Sequence, residues 1–335
     1  MIKGAKMISK RMMLLLAFAA AAFLSAAGSP VTAQTFPTRP ITIVVPFPAG
    51  GPVDVVGRLL AARMRESLGQ PVLIENVTGA SGSIAVGKVA RAAGDGYTIV
   101  IGNWATFVVN GAIFPLQYDL ITDFEPIGLI TTQPYLIVAR KTMPADDLKG
   151  LIAWLKANPD KASQGTSGVG TPAHVAGVFF MKETGTRFQL VPYRGLAPAM
   201  QDLVAGEIDL IFDSPVSSLP QIRAGSVKAY AVMAKKRASA APDIPTVDEA
   251  GLPGVYMSSW YGVWTAKGTP PDIVAKLNTA INAALADQKT RERIADLGQE
   301  IAAPELQNPA ALGAFQKAEI AKWWPILKEM GIKGE

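Results

Sequence analysis

Three segments of this chain combine glycine with hydroxyl or amide side chains at points where a strand gives way to a helix. The first is Pro46-Phe47-Pro48-Ala49-Gly50-Gly51-Pro52-Val53-Asp54. The second is Asn76-Val77-Thr78-Gly79-Ala80-Ser81-Gly82-Ser83, and the third is Ser163-Gln164-Gly165-Thr166-Ser167-Gly168-Val169-Gly170-Thr171, which runs into the helix carrying His174. Glycine lets a backbone approach a ligand closely, and a helix start presents unpaired N–H groups with partial positive charge. A carboxylate or phosphate fits that physics. A plain strand-to-helix turn with Asp54 as a first-turn acid fits the first segment too. If all three face one cleft, they can hold carboxylates without a cationic side chain.

Other chemistries fare worse. The chain has no cysteine, which removes disulfides, thiolate metal sites, iron–sulfur clusters and cysteine nucleophiles together. His174 is the single histidine, so multi-histidine metal sites are excluded and one imidazole base remains. We expect no metal and no cofactor. Residues 82–88 (GSIAVGK) match the phosphate-loop spacing by letters. Val89, however, stands where a magnesium-binding hydroxyl belongs, and Lys88 falls inside a helix already begun. Ser167, His174 and Asp213 invite a serine-hydrolase triad, but no G-x-S-x-G turn surrounds any serine. The expectation is a binder, not an enzyme. Trp104, beside Asn103 and Thr106 at the end of a strand, is expected to line a cleft and stack on a planar ligand. With Val53 apolar, this tilts the expected ligand toward an aromatic carboxylate over citrate.

The elements that must position these loops alternate in a regular rhythm. Residues 41–45 read as a buried strand. Residues 53–68 read as a helix whose Val56, Leu59, Leu60, Met64 and Leu68 recur at spacings of three and four. Strands at 72–74 and 97–101 flank a second helix at 81–91. A second strand–helix–strand unit covers 188–212, with a further strand at 227–233. Helices dominate the C-terminal part, and the last spans 309–330. This rhythm predicts an α/β fold of two lobes, each a mostly parallel sheet flanked by helices. Two extended stretches, 135–139 and 259–265, are the expected crossing strands. They assign 34–138 plus 260–335 to lobe one and 139–259 to lobe two, with a ligand cleft between.

Charge is settled by the N-terminus. Residues 1–11 carry Lys3, Lys6, Lys10 and Arg11, and residues 12–24 (MMLLLAFAAAAFL) form an unbroken apolar run. Small and turn-forming residues follow, ending at Ala33. This is the layout of a secretory signal peptide cleaved near Ala33, and the run is too short to span a bilayer. The whole chain counts 32 basic and 27 acidic residues, a formal charge of +5. Four of the basic residues and no acid lie in 1–33, which leaves 28 against 27, or +1. A nucleic-acid partner thereby loses its support.

Several ordered motifs are similar to those of the tripartite tricarboxylate transporter substrate-binding proteins, the Bug family of periplasmic receptors. They are Pro46-Phe47-x-x-Gly50-Gly51-x-x-Asp54, Asn76-x-x-Gly79-Ala80, Asp95-Gly96-Tyr97-Thr98, Asp123-Phe124-x-Pro126 and Gly165-x-Ser167-Gly168-x-Gly170-x-x-x-His174. Val191-Pro192-Tyr193-Arg194-Gly195, Asp202-Leu203-x-Ala205-Gly206-x-x-Asp209, Pro245-Thr246-Val247-x-Glu249-Ala250-Gly251 and Gly268-Thr269-Pro270 continue the match along nearly all of the chain after the leader. The resemblance implies a Venus-flytrap receptor, periplasmic and monomeric. It implies a carboxylate ligand (a di- or tricarboxylate, an acidic amino acid or an aromatic carboxylate) delivered to an inner-membrane permease of large and small membrane subunits. Carried over by position, it implies ligand contacts from Phe47, Ala49, Gly50, Gly51, Asp54, Gly79, Ala80, Ser81, Thr106 and Asn110 in lobe one. Ser167, His174, Tyr193, Gly195 and Asp213 are the implied contacts in lobe two. Val53 stands where the family carries a hydroxyl, and Gly57 replaces an alanine. An extracytoplasmic sensor for a two-component system is the alternative within the same binding chemistry.

Overall fold

Residues 41–45 (ITIVV) are β-branched, and four of the five are buried, so they form an interior strand, β1 (Ile41–Val45). The computed structural model describes residues 36–329 and 331. β1 pairs in parallel with β2 (Val72–Asn76) on one side and β3 (Thr98–Asn103) on the other. Parallel neighbours require crossovers, supplied by α1 (Pro52–Leu68) and α2 (Ser83–Ala90). The first sheet is completed by β4 (Phe124–Pro134), β10 (Ser258–Ala266) and β11 (Glu300–Ile301), in the order β11-β4-β10-β3-β1-β2. β10 runs antiparallel to both β3 and β4.

The second sheet has the order β7-β6-β8-β5-β9. Its strands are β5 (Leu136–Arg140), β6 (Ser163–Thr166), β7 (Gln189–Pro192), β8 (Leu210–Asp213) and β9 (Val227–Val232). β6, β7 and β8 are parallel, while β5 runs antiparallel to β8 and β9. The parallel character expected from the strand–helix rhythm thus holds within β1–β3 and within β6–β8. The strands adjoining the crossovers run the other way. Helices α4 (Leu148–Ala157), α5 (Pro172–Thr184), α6 (Leu196–Ala205) and α7 (Pro215–Arg223) belong with this sheet. After β3 the chain makes a π turn at Ala105–Val109 and the short helix α3 (Asn110–Ile113).

The chain passes between sheets at two neighbouring points. The Tyr135 amide donates to Met257 O, the Met257 amide to Met233 O, and the Met233 amide to Tyr135 O. This ring of backbone hydrogen bonds ties both crossings together.

Beyond β10 come α8 (Pro271–Ala286), α9 (Gln288–Asp296) and α10 (Pro309–Glu329). The last helix packs over the first sheet through a buried amide, Gln316. It accepts from Trp264 Nε1 at 3.0 Å and donates to Phe107 O and Leu120 O at 3.1 and 3.0 Å. Phe107 and Trp264 stack beside it, 3.6 Å between centroids. Further along α10, Trp323 meets Trp104 edge-on at 5.3 Å and Phe179 of α5 at 5.1 Å, so this helix touches both lobes. No helix among the described residues is long and apolar enough to cross a membrane.

Lobe two is packed as tightly around Gly177 of α5. A Cβ placed there would lie 1.7 Å from Gln164 Oε1, and Gln164 is fully buried with its Nε2 bonded to Ala173 O at 2.9 Å. Gly177→Ala is expected to destabilise the protein by about 1–3 kcal/mol through overpacking. Urea unfolding measures it, and an unchanged midpoint would mean that Gln164 has an alternative rotamer available.

Candidate functional site

The loop from β1 to α1 (residues 46–51) is organised by one carboxylate. Asp54, 1% exposed, accepts from Gly50 N at 2.8 Å, Arg58 Nε at 2.8 Å and Asn76 Nδ2 at 2.9 Å. Asn76 also donates to Phe47 O at 3.0 Å, which ties the loop to the end of β2. Burial pushes the Asp54 carboxyl up. Hydrogen bonds from Arg58, Gly50 and Asn76 outweigh this and hold it below its ordinary value. Asp54 therefore spends its oxygens on shaping the loop. Ala49 and Gly50 lie on its exposed bend with Gly51 beside them, and Gly50 takes φ +83°.

The loop from β2 to α2 turns in an uncommon way. Gly79, Ala80, Ser81 and Gly82 all have positive φ, at 119°, 45°, 52° and 87°. Left-handed backbone costs an ordinary L-residue about 1–2 kcal/mol, so two in succession are kept only where the surroundings impose them. Gly82 imposes much of it: a Cβ there would lie 2.8 Å from Thr106 Cγ2 and 2.9 Å from Pro46 Cβ. Asn110, 1% exposed, pins the turn from the side by donating from Nδ2 to Ser81 O at 3.0 Å. Successive amides on such a turn make a concave anion seat. Among the described residues the amides of Ala80 and Ser81 and the Ser81 hydroxyl have no acceptor.

Thr106 is fully buried. It exchanges hydrogen bonds with Asn103, its Oγ1 accepting from Asn103 N and its amide donating to Asn103 Oδ1, so it caps the 104–113 segment. Trp104 corrects the expectation placed on it. The side chain is 0% exposed and its ring packs against Trp323. It is a core residue that cannot stack on a ligand, because α10 covers the face that the end of β3 alone would leave open.

In lobe two, His174 is buried on the first turn of α5, and its Nδ1 accepts from Gly170 N at 3.4 Å. Burial pushes the imidazole pKa down, so it is neutral at physiological pH. Asp213 is also buried, which pushes its carboxyl up. It accepts from Ser217, Ser218 and the Ser214 amide at the start of α7. The hydrogen bonds of His174 and Asp213 thus go to groups other than each other, which leaves the Ser167–His174–Asp213 relay without its geometry. Tyr193 donates to Asp202 at 2.7 Å, which pushes the phenol up to about 12. Gly195 caps α6 at φ +108°. Lys88, of the phosphate-loop look-alike, pairs with Glu75.

These loops meet across a cavity of about 630 Å³. Phe47, Ser81 and Asn110 line it from lobe one, and the stretch beside Ser167 (Gly168, Val169, Gly170, Thr171 and Pro172) from lobe two. Asn103, Ala105, Ile113, Phe114 and Pro192 also line it, none of them a residue that sequence reasoning selected. Asn103 and Pro192 end strands and Ala105 lies on the turn after β3, a positional signal, whereas Ile113 and Phe114 lie at the end of α3. Of the residues selected from the sequence, Ala49, Gly50, Gly51, Asp54, Gly79, Ala80, Trp104, Thr106, Ser167, His174, Tyr193, Gly195 and Asp213 are not among the lining residues. Among the described residues that line the cavity, none is charged. A larger groove, about 740 Å³, lies between Glu125, Pro270, Asn278 and Pro309, and shares no residue with the three loops.

Comparison with known proteins gives the same picture. Residues 56–332 match the family described as "Tripartite tricarboxylate transporter family receptor". A relative in Agrobacterium vitis, "UPF0065 protein in the TAR-I ttuE-ttuC' intergenic region", is 41% identical over 317 residues, covering 93% of this chain and 91% of its own. Two solved structures are similar throughout. MatC from Rhodopseudomonas palustris with bound malate is 39% identical with a TM-score of 0.71, covering 87% of this chain and 100% of its own. R. palustris Rpa4515 with adipate is 35% identical with a TM-score of 0.73, covering 89% and 99%.

Proposed function

Because the chain belongs to the tripartite tricarboxylate transporter receptor family, we propose that it is an exported periplasmic receptor that captures a small carboxylate between its lobes. It then delivers the carboxylate to an inner-membrane permease of large and small subunits. The observation that carries this reading is the Gly79–Gly82 turn, which leaves two amides and a hydroxyl without acceptors and whose Ser81 lines an uncharged cleft. A carboxylate oxygen pair matches those donors, and the helix start behind them adds favourable potential. The similarity to structures holding malate and adipate supports the same ligand class. In this reading Phe47, Gly79, Ala80, Ser81 and Asn110 form the lobe-one seat, and Asp54 and Thr106 keep it in shape. Ser167 and His174 stand behind the lobe-two wall. Closure about the Tyr135–Met233–Met257 ring would then exclude water from the ionic contact.

The test is a thermal-shift panel of small carboxylates, each paired with its neutral amide. A ligand at about a hundred times its Kd stabilises the folded state by about 2.7 kcal/mol, an easily read shift. At least one carboxylate is expected to shift the midpoint while its amide does not. Silence across all carboxylates would sink the reading.

A further inference from the structure

The two walls of the cleft are chemically unequal. Lobe one offers the free donors of Ala80 and Ser81. In lobe two, three amides of the corresponding loop are turned inward, while those of Ser167 and Val169 have no acceptor among the described residues. Gly168 N points to Thr166 Oγ1, Gly170 N to His174 Nδ1 and Thr171 N to Gly168 O, each at 3.4 Å, and Thr171 Oγ1 donates to Gly168 O at 2.7 Å. Pro172, which opens α5, has no N–H to offer. Val169 in this loop is 59% exposed, a large apolar side chain left bare at the rim of a cleft. Facing it from lobe one, Ile113 and Phe114 at the end of α3 and Phe47 in the first loop supply further apolar surface, and Pro192 extends it at the end of β7.

Resting on the receptor reading above, we infer that this cleft selects a monocarboxylate with an apolar body. The carboxylate sits in the Ala80–Ser81 turn, and the aliphatic or aromatic remainder lies against Phe47, Ile113, Phe114 and Val169. A second ionised carboxylate placed against that wall would lose its water with no cation and few free donors in return. An apolar remainder instead gains about 25 cal/mol for each Å² it takes from water. Short hydroxylated acids such as malate, and citrate with three charges, fit this division poorly. Arg194 is the cation nearest in sequence to the wall, two residues beyond Pro192. It is exposed and has no ion pair among the described residues, which makes it the group that could hold a second carboxylate instead.

Isothermal titration of the purified protein with hexanoate, phenylacetate, malate and citrate tests the inference. At least one of the two apolar monocarboxylates is expected to bind tenfold or more tightly than malate and citrate. Val169→Lys, at a position whose exposure tolerates the change, is expected to bring a cation to the wall. It should raise malate affinity about tenfold while weakening the monocarboxylate. Malate or citrate outranking both monocarboxylates in the unmodified protein would overturn the inference and leave the receptor reading standing. A loss of that dicarboxylate preference in Arg194→Gln would then identify the responsible residue. An unchanged ranking in Val169→Lys would also overturn it, since the wall would not touch the ligand. Absence of binding by all four, together with a silent amide-controlled panel, would remove both readings.

Discussion

Trp104→Ala will lower the stability of the folded protein by about 3–5 kcal/mol, the range for removing a fully buried tryptophan, while the protein that remains folded keeps its ligand affinity. The expectation follows from where the ring lies. It is 0% exposed and meets the edge of Trp323, which in turn meets Phe179 of lobe two. The surroundings cannot collapse into the space left behind. Trp323 and Trp260 both donate their indole N–H to Glu319 at 3.2 Å, and Gln316 one turn earlier is bonded on both ends of its amide. Burial pushes the Glu319 carboxyl up, and indole donors together with the Lys322 cation act against that. Urea unfolding gives the stability change and titration of the folded fraction gives the affinity. A variant of unchanged stability with lost binding would return Trp104 to the cleft.

Asp54→Ala should have the largest effect on binding. Its carboxylate is the common acceptor for Gly50 N, Arg58 Nε and Asn76 Nδ2, so truncation strands two groups in a partly buried loop and releases a guanidinium. A donor left unpaired in such a place costs about 1–3 kcal/mol. Disorganising the loop by about 3 kcal/mol corresponds to roughly a hundredfold loss of affinity. Arg58→Ala should cost far less, because that side chain is 53% exposed and the pair is screened by water. The pH dependence has a definite sign. The folded Asp54 carboxyl lies below its ordinary value of 3.8, so its contribution is complete above that value and is lost as pH falls through the folded one. The contribution of Asp54 to affinity should therefore be flat through neutrality and decline only in strong acid. Titration calorimetry of Asp54→Ala and Asp54→Asn against the unmodified protein measures both effects. Full affinity in Asp54→Ala would remove the loop-shaping role.

Several elements could be read with little error because their causes are local. The run ITIVV is a strand wherever it is buried. The helix expected at 53–68 is found at Pro52–Leu68, since Pro52 suits a first helical turn and Gly69 can adopt the left-handed cap. The last helix, expected over 309–330, is seen through Glu329 in spite of Pro325 within it. The 104–113 segment was not legible as a helix. Its TFVVNGAI run is β-branched and apolar, and what holds it is the exchange between Thr106 and Asn103 together with the cover supplied by α10. The leader read in residues 1–33 lies outside the described residues, and the charge balance that follows from it stays an inference from composition.

The same division separates the candidate residues. Glycines at helix starts mark Gly50, Gly79, Gly82, Gly168 and Gly170 as loop formers from sequence, because a positive φ is a property of one residue and its neighbours. Whether an adjacent side chain faces the ligand or the core depends on what comes back to cover it from far along the chain. Asn76 arrives beside Asp54 from the next strand and turns a presumed ligand contact into a brace. Trp323, more than two hundred residues downstream, turns Trp104 from a cleft wall into core. Ile113 and Phe114 were unremarked in the linear pattern, and with Val169 they came to line one cavity when the chain folded. The sequence determined the family, the two-sheet fold and three donor loops, all set by short-range geometry and ordered motifs. Only the tertiary structure decided which amides remain free and which are already satisfied, because that balance is struck between groups brought together by folding.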